Sequence, residues 1–138
     1  AQQLLQQRKD LARLPARSGI AAMQSINVVV INAWFLSVFF GTALTCVWVM
    51  IAAFSRSLDP RATYWLAGAV FYLVGTIGVT MLFNVPRNNA LAVLVPADAQ
   101  AAIYWSAYLS SWTAWNHVRT IAALAAAVLF VIAFRLRA

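Results

Sequence analysis

The 138-residue chain has no Glu, and its only acids are Asp10, Asp59 and Asp98. Paired-carboxylate acid–base chemistry inside one protomer is therefore excluded. One cysteine, Cys46, rules out an internal disulfide and a Cys-rich metal site. It sits in an apolar run and reads as a small, inert hydrophobe. A single histidine, His117, falls short of any usual metal-ligand set. Charge is scarce as well: 9% of residues against 64% hydrophobic. A soluble domain carries roughly 25% charged residues. Thirteen charges cannot cover a soluble surface, so a soluble enzyme and a disordered tail are set aside. The net charge of +7 would ordinarily point to nucleic acid. Here the basic residues stand singly between apolar runs, which favours a lipid bilayer and no nucleic acid.

What is present is a series of long apolar runs. The pattern predicts an all-α integral membrane helical bundle, residues 1–138 forming one membrane domain. Residues 1–26 are polar and amphipathic. Leu4, Leu5, Leu11 and Leu14 are interleaved with Gln, Arg8, Lys9, Asp10 and Arg13, predicting an interfacial helix that stops near Pro15. Residues 1–17 lack the apolar core of a secretory signal. Three transmembrane spans are expected, at about 28–54, 62–85 and 112–134. The first, Val28 to Phe54, contains no charge and outlasts a hydrocarbon core of roughly 30 Å. SRSLDPR (Ser55 to Arg61) is a tight connector, with Asp59-Pro60 marking a turn or helix start. Gly68 and Gly75, seven apart, favour close helix contact. Pro86 is expected to end the second span, and Arg87 to Ala97 to form a loop or re-entrant segment. Pro96-Ala97-Asp98 reads as a helix start. No Gly or Pro follows as far as Phe134, so one long helix or two stacked helices cover that stretch, with Arg135 and Arg137 anchoring its end at headgroups. Orientation stays open: five basic residues (Arg8, Lys9, Arg13, Arg17, Arg87) fall on one side and four (Arg56, Arg61, Arg135, Arg137) on the other.

Three spans bring the polar groups to one end of the bundle. The start of the first carries Asn27 and Asn32, and the end of the second Asn84, Asn88 and Asn89. The start of the third carries Trp112, Trp115, Asn116, His117, Arg119 and Thr120. Polar groups in lipid are costly and mark functional sites. Trp105, Tyr108, Trp112, Trp115 and Arg119 recur at spacings of three and four and form one helical stripe. It reads either as an interfacial aromatic belt or as a pocket wall for a flat aromatic ligand. His117 is the one side chain suited, unperturbed, to proton transfer at neutral pH. Arg119 either snorkels to a headgroup phosphate or holds an anion. The carbonyls freed by Pro86 need partners, and Asn84, Asn88 or Asn89 could supply them.

FNVPRNNAL (Phe83 to Leu91), followed by Trp105 and YLSSWTAWNHVRTIAALAAA (Tyr108 to Ala127), resembles the anthrone oxygenase-like family of small membrane proteins. ARLPARSGIAAMQSIN (Ala12 to Asn27) and Asn32 with WFLSVFFGTALTC (Trp34 to Cys46) fit its earlier part. The resemblance covers about residues 12–136. It departs in two places. Family members usually have four spans; residues 1–11 are polar here, so the first span, expected ahead of the ARLP-like segment, reads as absent or cut away, and if the site uses it the chain is incomplete or another chain supplies that surface. Arg87 stands where an apolar residue is expected after NVP. The resemblance implies a cofactor-free, O₂-dependent oxidation of a polycyclic phenolic or quinone-like molecule. His117 would be the base, with Arg119 and Asn116 stabilising the enolate. Asn84, Asn88, Asn32, Trp105, Trp112 and Trp115 would bind substrate, with no metal. The expected partners are a lipophilic aromatic molecule or quinone and the bilayer, with a homo-oligomer or larger membrane complex possible. The expected location is the bacterial inner membrane, crossed several times. The competing reading is a non-catalytic membrane subunit that packs against a larger complex or binds lipid or quinone. A transporter or channel component is the weakest reading.

Overall fold

A computed structural model describes residues 2–56 and 58–136, with side-chain surroundings from Pro15 onward. The described chain is helical almost throughout, and no strand occurs among the described residues. Helix α1 covers Gln2–Val29, α2 Ala33–Ser55, α3 Pro60–Ala92 and α4 Ala99–Arg135. Helices α2, α3 and α4 are long and apolar enough to cross a membrane. With 23 residues, α2 is about 35 Å long at the helical rise of about 1.5 Å per residue, enough for a bilayer core. Helix α4, with 37 residues, is about 55 Å long and outruns that core.

Proline does not break the helices where the sequence suggests. Helix α1 runs through Pro15 to Val29. An interior proline costs about 3 kcal/mol, and tertiary docking beyond it holds the helix. Ile20 is fully buried, and Gln24 Nε2 donates to the carbonyls of Leu91 (2.9 Å) and Leu94 (3.0 Å). The leucines expected on an apolar face, Leu4 to Leu14, lie outside the described side chains. So do Ser57 of the connector and the anchoring Arg137. The charge-free run from Val28 is divided between two helices by Asn32. Its Oδ1 accepts from Phe35 N–H (3.0 Å) and its Nδ2 donates to Val29 O (3.1 Å), so one amide caps both ends.

Pro86 likewise lies inside α3, which continues to Ala92. The preceding stretch is wound as π-helix over Phe71–Gly78 and Thr80–Asn84. Val85 N–H donates to Thr80 O, an i→i−5 bond. The wider turn admits a residue without an N–H, and α-helix resumes at Val85–Ala92. Asp98 stands at the N-cap of α4, as its sequence context predicts, although its side chain makes no capping bond.

The helices form an open row. Helix α2 packs on α3, α3 on α4, and α1 on α4 and the far end of α3. Small residues set the close approaches. Phe39, Cys46 and Ala53, spaced by seven, bury the α2 face against α3. A Cβ on Gly68 would meet the Phe130 ring at 2.9 Å, and one on Gly75 would collide with Ala122 Cβ. The outer face of α2 is apolar and exposed, with Trp34, Val38, Leu44, Trp48 and Ile51, as suits contact with lipid. Beyond this row, Ile20, Leu91, Ala101 and Tyr108 form a core cluster where α1, α3 and α4 meet.

Candidate functional site

The site lies on that cluster. Tyr108 is 2% exposed and donates its hydroxyl proton to Asn88 Oδ1 at 2.8 Å. Its ring stacks on Trp105 (centroids 5.5 Å) and Trp112 (6.3 Å). The aromatic stripe read from spacings of three and four is thus a stacked wall facing α1 and α3. One turn on, Trp115 stacks on Phe83 of α3 at 3.7 Å and 9°.

Among the described residues four buried side-chain atoms find no hydrogen-bond partner: Trp112 Nε1 in the wall itself, Asn84 Nδ2 and Oδ1 one turn before Asn88 on α3, and Asn27 Nδ2 on α1. Asn27 lies within reach of the Tyr108 hydroxyl. Asn84 is 3% exposed and neither side of its amide is used. Each such atom costs about 1–3 kcal/mol when left unpaired. Together they offer three donor nitrogens, bearing five N–H bonds, and one acceptor, all uncharged, by a flat aromatic surface. That set suits a planar ligand carrying oxygen acceptors and a hydroxyl.

The π-helix aims Asn84 inward. Val79 and Asn84 are both buried and five residues apart, which is the π spacing and not the α spacing. In an uninterrupted α-helix Phe83, four after Val79, would take that direction.

The remaining predicted residues fall in distinct places. Asn88 and Trp105 join the cluster through Tyr108. Asn32 is exposed and engaged in capping. It borders a separate open groove of about 330 Å³ lined by Ser25, Ile26, Val29 and Val30. Arg119 and Asn116 are half-buried and paired, Arg119 Nη2 donating to Asn116 Oδ1 at 2.6 Å. Thr76 Oγ1 donates to the Arg119 carbonyl (3.4 Å). His117 is exposed. At about 100° per residue it stands half a turn away from Tyr108, and the structure does not bring it to the cluster.

Two members of the cluster were not singled out as site residues by sequence reasoning, Asn27 and Tyr108. Both carried a signal, Asn27 as a polar group at the convergent end and Tyr108 as a member of the stripe. Arg87, and none of the asparagines, supplies the carbonyl partner near Pro86. Its Nη1 donates to Phe83 O (2.8 Å) and its Nε to Ser111 Oγ (3.0 Å). The long guanidinium arm folds back one turn, while the Asn88 amide is taken by Tyr108. Among the described residues no three His, Cys, Asp or Glu side chains come together.

Neither the comparison with curated proteins nor that with solved structures gives a match. The family model for anthrone oxygenase matches residues 33–129, a stretch holding Asn84, Asn88, Tyr108 and Trp112 but ending short of Asn27 on the α1 side. With most of its length so matched, the chain belongs to the anthrone oxygenase family.

Proposed function

We propose that the protein is a membrane-embedded oxygenase that takes a polycyclic phenolic ketone from the bilayer and oxidises its ring methylene with O₂. The observation that carries the reading is the buried, unpartnered set at Asn27, Asn84 and Trp112 beside the Tyr108 wall. A methylene flanked by aromatic rings and para to a carbonyl is acidic, because its anion is an aromatic phenolate. The three donor nitrogens would stabilise that developing oxyanion more than the neutral ketone. Asn84 Oδ1 would accept from a neighbouring phenol.

The anion passes one electron to O₂, the two radicals combine at carbon as a peroxide anion that takes back a proton from water, and the resulting hydroperoxide loses water. One oxygen atom ends as the new carbonyl and the other, with both methylene hydrogens, as H₂O. The substrate anion is itself the reductant, so the reading calls on no resident metal or flavin. His117, exposed on the far face of α4, stays outside this set, and the methylene proton is released to water at the polar end of the bundle. Membership of the family supports the reaction type. Three helices of spanning length support a multi-pass protein, for which we propose the bacterial inner membrane.

The test is O₂ consumption by the detergent-purified protein with an anthrone, beside Asn84→Leu. Uptake that needs both the anthrone and Asn84 is expected. Protein that binds anthrone but consumes no O₂ would overturn the oxygenase reading. The second reading, a non-catalytic subunit, is favoured by the exposed apolar face of α2. It predicts inert protein that purifies with a stoichiometric membrane partner.

A further inference from the structure

Arg119 lies on the inward stripe of α4, four residues after Trp115 and three before the buried Ala122. It is half-buried, and sixteen residues separate it from Arg135 at the helix end. At about 1.5 Å per residue that is about 24 Å of apolar helix. A guanidinium there is expensive unless its charge is met. Among the described residues its one side-chain hydrogen bond goes to a neutral group, Asn116 Oδ1.

The acids whose side chains are described are placed elsewhere. Asp59 is paired with Arg61 at 2.8 Å in the opposite connector. Asp98 stands at the N-cap position of α4, twenty-one residues before Arg119. The guanidinium has five N–H donors in a rigid fork. Asn116 uses one and fixes the plane of the group, leaving the others to face outward from the Asn116 side. The neighbouring Thr76 hydroxyl is spent on the Arg119 carbonyl and does not compete for them.

We propose that the Arg119–Asn116 pair is a receptor for an anionic oxygen group, a carboxylate or a phosphate, carried by a molecule lodged at this level of the bundle. Two parallel N–H···O bonds from the fork would hold it, as carboxylates and phosphates are held elsewhere. Asn116 positions the guanidinium. The anion comes either from a carboxylated aromatic ligand, reaching down from the Trp112 and Trp115 wall, or from a phospholipid headgroup. The proposal rests on the surroundings of Arg119 and does not require that the bound molecule be oxidised.

The experiment reads binding only, so its failure is distinct from failure of the oxygenase reading. The full chain is reconstituted in nanodiscs of phosphatidylcholine with and without phosphatidylglycerol. Tryptophan fluorescence is titrated with 3-hydroxy-2-naphthoate and with its methyl ester. Native mass spectrometry counts retained phospholipid. If the anion is the ligand's, the acid binds at least tenfold tighter than the ester, and Arg119→Gln removes that ratio. Arg119→Lys, which keeps the charge but loses the fork, then restores only part of it. If the anion is a lipid's, acid and ester bind alike, while phosphatidylglycerol retention is lost in Arg119→Gln. Asn116→Leu, which keeps the cation but releases its plane, gives a partial loss in whichever arm responds. It serves as the test if Arg119→Gln fails to fold. An acid-to-ester ratio and a lipid count both unchanged in the variants would overturn the proposal.

Discussion

Replacing Asn84 by Leu should make the protein more stable and functionally empty. Asn84 is 3% exposed with both amide atoms unpaired. Each unpaired atom costs about 1–3 kcal/mol in water-based measurements. Within a bilayer the unfolded reference finds partners too, which trims such values. A net gain of about 1–3 kcal/mol is expected from a side chain of similar length with nothing to satisfy. The same change removes two bonds to a ligand, each about 0.5–1.5 kcal/mol, so affinity for a phenolic ketone should fall about tenfold or more. Asn88→Leu is the contrasting case. It strands the buried Tyr108 hydroxyl, so it should destabilise by about 1–3 kcal/mol. Unfolding in mixed micelles, followed by tryptophan fluorescence, reads stability, and ligand titration of the same samples reads binding. A destabilised Asn84→Leu would refute the reasoning, because it would mean that the amide already holds the π-helical turn together.

Other substitutions separate the remaining claims. His117→Gln should change O₂ uptake with an anthrone by less than about threefold. A larger loss, with the fold intact by the same unfolding assay, would put the imidazole back in the chemistry. Gly75→Leu should disrupt the α3–α4 contact, where even a Cβ collides with Ala122, and lower the thermal midpoint by several degrees. An unchanged midpoint would show that the two helices can separate without loss. Arg61 holds the Asp59 carboxyl below its usual range by hydrogen bonding. Its contribution to holding the start of α3 is therefore fully present above the ordinary carboxylate value. It fades as pH falls through the lowered value. Asp59→Asn should flatten that acid limb in a melting series between pH 2 and 5; a limb of unchanged depth would assign it elsewhere.

Much of the architecture can be read from periodicity, because α4 lacks Gly and Pro and keeps one register over its whole length. The stripe from Trp105 to Arg119 is therefore legible, and so in principle is the outward direction of His117, nine residues from Tyr108. The two helices that contain proline are less legible. Pro15 and Pro86 are local stop signals; the first is overridden by contacts distant in sequence, Gln24 to Leu91 and Leu94, the second by a local rewinding, the π turn and Arg87 folded back on Phe83. The break at Asn32 is concealed within an apolar run, because what makes it a boundary is a pair of capping bonds from one amide. The unpartnered atoms cannot be read from sequence at all. That Asn27, Asn84 and Trp112 lack partners, while Asn88 has one, is a property of packing.

The π-helical stretch of α3 has a consequence for how the chain tolerates insertion and deletion. Relative to an α-helix it holds surplus residues between the glycine contacts of Gly68 and Gly75 and the amides of Asn84 and Asn88. The two ends of the helix are therefore phased independently, like two dials on one shaft with slack between them. Removing a single residue between Val79 and Asn84 takes up that slack. It lets the π turn tighten to α-helix, so the lower half of α3 stays seated on α4 and the groups above keep their facing. A frame-preserving deletion of this kind should yield a well-inserted protein whose upper helix still presents Asn84 and Asn88 to the α4 side, now at α-helical spacing from Val79.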